Sequence, residues 1–428
     1  MSAKNSLSMD FYKYLCQKIG YEEEVKVRRL FYIIHDLRAK TADKTQITSG
    51  SRGEGLQLKG SDLDLMFIDT TFQVYESDRD VPHSGWCMPL VMNTEDTHPG
   101  FTQLHLVNDH GLICWHDNTG EYALENTLHW QNLILNAFQL REFSSELYRL
   151  HTMAICSKFS RMLKFHGPCI STLEETHDIA SCLKCDKWIS EAQPWIIRPR
   201  TTWPSPDLIS KIISCGVLFV PIGYKGSSNE HLQWRISFSV AEKFLIFSFS
   251  QTPLLCYALL KVLVKEIVEN HEDLQGLLCS YFLKTLMFWI SEESEPSMWR
   301  PNTIIPCCMA CLKRLIYCVE YSTLLHYFIP DNNLFYLRFN VDQIEKMSSL
   351  LKNSFEKGIY CFTRSETLFD IITLHFNDTD SEIRILGALR FDLKNPVCTY
   401  RYNTCNLLYS LLHYSSSKIS KSIFCTPI

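Results

Sequence analysis

The stretch Gly50–Phe67, GSRGEGLQLKGSDLDLMF, decides how the rest of the chain reads. It opens on a glycine-serine pair and closes on two aspartates, Asp62 and Asp64, that alternate with Leu63 and Leu65. Strand side chains alternate between faces, so the leucines point one way and both carboxylates the other. Two carboxylates held that close repel each other unless a cation lies between them or water bathes them. Hard oxygen ligands of this kind suit Mg²⁺, which takes one or two carboxylates and completes its sphere with substrate phosphates. Upstream, ITSGSRGEG reads as a loop whose backbone N–H groups and Ser51 hydroxyl can reach phosphate oxygens. An isolated D-x-D is more often a solvated edge strand. With the Gly50–Ser51 pair ahead and apolar residues behind, it reads as a nucleoside-triphosphate site with metal-ion catalysis.

The surrounding chain is compatible with that site. Its 428 residues suggest one large domain or two packed intimately, and 46% hydrophobic against 21% charged residues is a globular composition. A net charge of -5 excludes a generally basic nucleic-acid binder, so any nucleic-acid surface is a local patch. The start, MSAKNSLSMDFYKYLCQKIGYEEE, has no apolar core of a secretion signal. The best candidate for a membrane span, LLCYALLKVLVKEIV, is interrupted by Lys261 and Lys265. The expectation is a cytoplasmic protein away from membranes, with its 18 cysteines reduced and many of them serving as small hydrophobes.

Residues 8–40 read as a long helix or a broken pair, with Val27, Leu30, Ile34 and Leu37 at helical spacing. DLDLMFID reads as a strand, as do GWCMPLVM, TQLHLV, GVLFVPIGYKG and WRISFS. The segment 131–165 is helical in pattern, and 166–207 reads as loops around one strand near Asp178. Helices are expected at Leu254–Asn270, Leu274–Ile290, Pro306–Thr323 and 341–356, an ordered aromatic loop at HYFIPDNNLF, and a mobile tail at SSSKISKSIFCTPI. Strands and helices mix in the front half while the back half is helical. That is an α+β, bilobal architecture, a mixed catalytic lobe against a helical lobe with a cleft between.

The GSRGEG…DLDLMF stretch resembles the nucleotidyltransferase signature of the cGAS-like receptors and their male-abnormal (Mab) domain relatives. NTEDTHPGFTQLHL, HGPC, WRISFSVAEK, CLKRLIYCVEY and LLHYFIPDNNLF resemble blocks of the same family in the same order, over roughly residues 20 to 340. The resemblance implies a bilobal nucleotidyltransferase fold: a catalytic lobe over 1–240 with a spine helix at about 8–40, a helical lobe over 241–340, and an extension over 341–428. It implies two Mg²⁺ (or Mn²⁺) ions, ATP, GTP or other nucleoside triphosphates as substrates, and a cyclic dinucleotide such as 2',3'-cGAMP as product. It also implies an innate immune sensor, with double-stranded nucleic acid along the spine as activator and a dimer on that nucleic acid. A Mab-domain protein that keeps the fold without the activity is the alternative, and a template-independent polymerase extending RNA ends a third reading.

Residue by residue, the resemblance assigns metal binding to Asp62 and Asp64 and phosphate binding to Gly50 and Ser51. A third metal acid is expected on a neighbouring strand. Asp178 in ETHDIASCLKC matches best, with Glu174 and Glu175 nearby. Arg235 in WRISFS is either a contact to the base or an interlobe ion pair. Ser237, Glu242, Lys261 and Ser280 are further nucleotide candidates, and Tyr281 resembles the family's base-stacking tyrosine, a role whose sequence tolerance suits a site that must accept a nucleotide twice. Lys13, Lys18, Lys26, Arg28, Arg29, Arg38 and Lys40 could form a basic patch on the spine, or simply a solvated face. Vertebrate cGAS relatives carry a zinc-binding insertion after the WRISFSVAEK-like block. Here EKFLIFSFSQTPLL holds no cysteine or histidine cluster, so no structural zinc is expected, and double-stranded RNA is the expected activator.

Overall fold

The structure is a computed structural model that describes residues 3–40, 44–83, 87–107, 128–157, 163–172, 178–200 and 202–368. Glu174, Glu175 and the expected tail lie outside the described residues.

The N-terminal helix is a broken pair, α1 (Ala3–Ile19) and α2 (Glu22–Ala39). The break is at Gly20, whose φ of 125° a side chain would strain. Arg28 closes the joint, donating to the Ile19 carbonyl at 2.7 Å. Glu24 reaches back to accept from the Tyr21 N–H at 2.9 Å, one arm of a capping box that starts α2.

The buried face of α2 departs from the sequence reading. Val27, Leu30 and Ile34 are exposed, together with Phe31. The interior stripe is Val25, Arg29, Ile33 and Asp36. Two of those four are charged, so a hydrophobic pattern selects the wrong face. Both charges are satisfied inside: Arg29 donates to the carbonyls of Glu54 at 2.8 Å, Ile246 at 3.3 Å and Phe247 at 3.4 Å. Asp36 accepts from the Thr48 N–H at 2.9 Å and pairs with Lys243 at 3.2 Å.

One mixed sheet runs through the catalytic lobe. Its strands are β1 (Lys44–Ser49), β2 (Asp64–Asp69), β3 (Phe72–Tyr75), β4 (Met88–Asn93), β5 (Phe101–Leu106), β6 (Leu163–His166), β7 (Cys169–Thr172), β8 (Asp178–Cys185), β9 (Val217–Val220) and β10 (Gln233–Ser237). The main order is β1-β2-β8-β9-β10-β5-β4-β3, with β7 also on β8 and β6 beyond it. β2 and β8 are parallel, which brings the starts of the two strands side by side. The expected strands in the front half are present. β1, β3, β6 and β7 are additional: β3, β6 and β7 have four residues each, and β1 ends where TSG read as loop.

Behind the sheet, helices span Ser239–Phe247, Gln251–Leu263, Ser280–Glu293, Ile304–Glu320 and Val341–Lys357. The Gln251–Leu263 helix is buried nearly all round, which is why its sequence is apolar without a polar stripe. Pro301–Glu320 is also long and apolar enough to cross a membrane by length and composition, a length the sequence reading did not credit to any segment. Its Cys307, Cys311, Leu315 and Val319 pack into the core. HYFIPDNNLF is an ordered loop: Leu325 bridges Asn333, and Tyr327 and Phe328 are fully buried.

Candidate active site

The chain turns from β1 into a single helical turn, α3 (Gly50–Gly53), against the acids. Gly50 has φ 73°, and a Cβ there would sit 3.1 Å from the Asp64 Cγ and 3.0 Å from the Asp62 carbonyl. Only glycine allows that approach. The Ser51 N–H donates to the Asp62 carboxylate at 2.9 Å, and the Arg52 N–H to the Asp62 carbonyl at 3.1 Å. Asp62 therefore precedes β2 instead of lying on it, as the DLDL alternation suggested. Its position is fixed by the turn it caps, and Asp64 alone is carried by the strand. Both nonetheless line one cleft of about 810 Å³.

Asp178 opens β8 in direct register with Asp64, as Ala180 is with Met66. Met66 and Ala180 line the cleft, so the alternation of the two strands puts both acids on that face; Asp64 lines the cleft, whereas Asp178 is not among its lining residues. Asp178 is held from the other side: the Ser171 hydroxyl donates to one carboxylate oxygen, and His166 Nδ1 lies 3.0 Å from the other.

Asp62 and Asp64 differ in their electrostatics. Burial pushes Asp64 up, and the neighbouring charges of Asp62 and Asp178 add to it, to a pKa of about 7. Burial pushes Asp62 up too, but the Lys261 charge and the hydrogen bond from Ser51 outweigh it, leaving Asp62 below its ordinary value. The Lys261 ammonium donates to the Ser51 hydroxyl. Lys261 thus sits behind the Ser51 turn, in a side cavity of about 230 Å³ that it shares with Lys59, Lys265 and Ser280.

Gly50, Ser51, Asp62, Asp64, Arg235, Ser237, Glu242, Ser280 and Tyr281 are brought together around the cleft. Arg235 is exposed there, and neither an ion pair nor a hydrogen bond engages it among the described residues, so the interlobe ion-pair alternative has no partner. Ser237 bonds the Ser239 hydroxyl at 3.3 Å. Glu242 is buried and takes part in a network absent from the sequence reading. Lys284 lies 2.6 Å from Glu54 and 3.4 Å from Glu242, tying the turn after α3 to both sides of the helical half. Burial opposes its charge, but the two glutamates more than compensate and raise its pKa. Sequence offered one signal for Lys284, a lysine one turn after Tyr281 in an apolar helix. It offered none for Glu54.

The basic residues on the spine meet a different fate. Arg29 is interior and Arg28 is spent on the α1–α2 joint. Lys26 pairs with Glu22 at 3.0 Å and Glu23 at 2.8 Å. Arg38 is exposed, with no ion pair or hydrogen bond among the described residues. The expected basic stripe is corrected at these positions: Arg28 and Arg29 are taken up by the fold and Lys26 by its acidic neighbours.

For a divalent ion the donor set fits in kind. Asp62 and Asp64 are hard carboxylates in one cleft, and a dication would relieve the repulsion that burdens Asp64. No three ligand-type side chains stand close enough to form a complete cage among the described residues. Mg²⁺ does not need one where phosphates supply the remaining oxygens.

Comparison with known proteins agrees with the fold. Residues 164–248 match the Mab-21 protein nucleotidyltransferase domain, and residues 254–353 the Mab-21 protein HhH/H2TH-like domain. The chain is 28% identical to cyclic GMP-AMP synthase of Mus musculus over 123 residues, covering 26% of this chain and 24% of that protein. It is 26% identical to the Sus scrofa cyclic GMP-AMP synthase over 126 residues, 26% of each. It is 28% identical to the protein mab-21-like of Aedes aegypti over 165 residues, 37% of this chain and 43% of that protein. The aligned part thus spans about a quarter of either synthase and less than half of the mab-21-like protein. Residues 164–353 thus resemble the two Mab-21 domains in consecutive order, on an α+β frame.

Proposed function

We propose that the chain is a divalent-metal-dependent nucleotidyltransferase that joins two nucleoside triphosphates, ATP, GTP or others, into a cyclic dinucleotide. The observation that carries this reading is the meeting of the Gly50–Ser51 turn, Asp62 and Asp64 at one cleft, with Asp178 in register beside Asp64. The turn offers backbone N–H groups and a hydroxyl to phosphate. Asp62 and Asp64 would hold Mg²⁺ or Mn²⁺, which when bound neutralises phosphate charge and lowers the pKa of a coordinated hydroxyl. Asp178 would orient the attacking ribose hydroxyl and take its proton, and Tyr281 would stack a base. The similarity to proteins named cyclic GMP-AMP synthase supports the product class. Activation by double-stranded RNA, dimerisation on it, an innate immune role and a cytoplasmic location extend the same reading, and rest on family resemblance alone.

One observation favours the alternative, a Mab-domain protein that binds without catalysing: Asp178 is already bonded by Ser171 and lies beside His166. Incubation with four labelled nucleotides, Mg²⁺ or Mn²⁺, and double-stranded RNA separates the readings. A small cyclic product supports the proposal. No product supports the binding protein, and elongated RNA supports a polymerase.

A further inference from the structure

A surface helix ordinarily turns its apolar stripe to the core. In α2 the core receives Val25, Arg29, Ile33 and Asp36, while Val27, Leu30, Phe31 and Ile34 stay outside, Val27 by 66% and Phe31 by 63%. At about 3.6 residues per turn, positions 23, 27, 30, 31, 34 and 38 fall within about 100° of arc. Glu23 and Arg38 therefore end the same outward stripe, and both are exposed. Arg38 has no ion pair or hydrogen bond among the described residues. Glu23 holds Lys26 at 2.8 Å, and Lys26 has Glu22 as a second carboxylate at 3.0 Å. A contiguous apolar stripe of this kind on the surface marks a contact.

The stripe is symmetric about the point between Leu30 and Phe31. Three residues outward lie Val27 on one side and Ile34 on the other, and four further lie Glu23 and Arg38. Turned over and laid antiparallel, the helix matches itself apolar on apolar and acid on base. We infer that α2 docks on a second copy of this chain, as an antiparallel helix pair across a twofold axis between Leu30 and Phe31. Leu30 then meets the partner's Phe31, Val27 the partner's Ile34 and Glu23 the partner's Arg38, each contact occurring twice. A parallel pair would instead set like charges together at both ends. A duplex fits the stripe poorly, since phosphates need several cations and one exposed arginine stands at the far end from the acidic run Glu22–Glu24. Four apolar side chains per copy fall far short of the roughly 1,600 Å² of a standard interface, so the pair is weak and reversible. It requires neither nucleotide nor nucleic acid.

Sedimentation equilibrium of the full chain, free of nucleic acid, tests the pair over roughly 1 to 200 µM, since mass action makes a weak dimer visible only in concentrated protein. Wild type should shift from monomer to dimer within that range. Phe31→Glu, which sets two carboxylates at the axis, should weaken the dimer at least about 10-fold, and Val27→Glu should do the same. Melts of dilute protein check that both variants remain folded. Glu23→Arg should weaken the dimer roughly 3- to 10-fold by facing the partner's Arg38, and adding Arg38→Glu should restore it, because the swap keeps opposite charges opposed. Wild type that stays monomeric throughout, or a dimer indifferent to both Phe31→Glu and Val27→Glu, would overturn the inference. A charge swap no better than Glu23→Arg alone would overturn the antiparallel register. A monomeric wild type whose binding of double-stranded RNA is abolished by Phe31→Glu would make the stripe a nucleic-acid surface instead.

Discussion

Asp64 and Asp178 are register partners on adjacent parallel strands, the first residues of β2 and β8. They are 114 positions apart in sequence, yet the sheet sets them side by side by backbone pairing alone. The charge of Asp178 contributes to the raised pKa of Asp64. Removing Asp178 should therefore act on two quantities. Asp178→Asn should reduce nucleotide joining by about 10²- to 10⁴-fold if it takes the hydroxyl proton. It should also lower the Asp64 pKa, readable by carboxyl NMR. Near-normal turnover would remove Asp178 from the reaction.

The shifted Asp64 gives the metal-free protein a definite pH dependence. Its carboxyl titrates near 7 when folded, against an ordinary value of about 4 when unfolded. Between those values the folded state holds the extra proton, so this group lowers stability as pH rises through the window. A bound divalent ion requires the carboxylate, so metal binding releases the proton and strengthens toward the upper end. In melting experiments, wild type relative to Asp64→Asn should lose Tm from pH 5 to 7.5 without metal. The Mn²⁺-induced gain of wild type should grow over the same range. A gain independent of pH would argue that metal binds elsewhere.

Gly50 is predicted to tolerate no side chain. Gly50→Ala should cost about 1–2 kcal/mol from the left-handed backbone alone. It should also displace the Asp64 carboxylate, which lies within contact distance of the added methyl. Denaturant melts check the first effect, and a fall in activity larger than that of Ser51→Ala checks the second.

Asp36 and Lys243 form a buried pair that also fixes the backbone of Thr48, two residues before Gly50. Breaking one partner should cost roughly 3–5 kcal/mol by leaving a charge uncompensated. The double replacement Asp36→Leu with Lys243→Met should be less damaging than either change alone. Equal or additive losses in a double-mutant cycle would show that the pair acts independently.

Much of this was legible in sequence, for identifiable reasons. Asp62, Asp64, the Gly50–Ser51 turn and the Tyr281 helix carry local patterns, and the structure gathers them at one cleft. The strand at Asp178 could be read because HDIASCL turns abruptly apolar. What escaped depends on partners distant in sequence. Arg29 and Asp36 are charged yet interior, because carbonyls of Glu54, Ile246 and Phe247 and the side chain of Lys243 receive them. The hydrophobic pattern of α2 therefore pointed its buried face outward. Glu54 escaped for the same reason, since a lone polar residue does not announce its lysine.

The spine makes a further prediction. Arg29→Glu should destabilise the fold broadly, since it reverses a charge that bonds three carbonyls. Arg38→Glu should leave melting unchanged. If double-stranded RNA binds along α2, Arg38→Glu should weaken it and flatten its salt dependence by about one phosphate contact. Unchanged RNA affinity would move the activator surface off this helix.

The central claim is that the paired carboxylates join nucleotides, and one comparison tests it most directly. Wild type and the Asp62→Asn, Asp64→Asn double variant are incubated with labelled nucleoside triphosphates, Mn²⁺ and double-stranded RNA, and phosphatase-resistant small product is counted. The account predicts cyclic product from wild type and none from a variant that melts at or above the wild-type temperature, relieved of its carboxylate repulsion. Equal product from both proteins, or none from wild type across metals and activators, would contradict it.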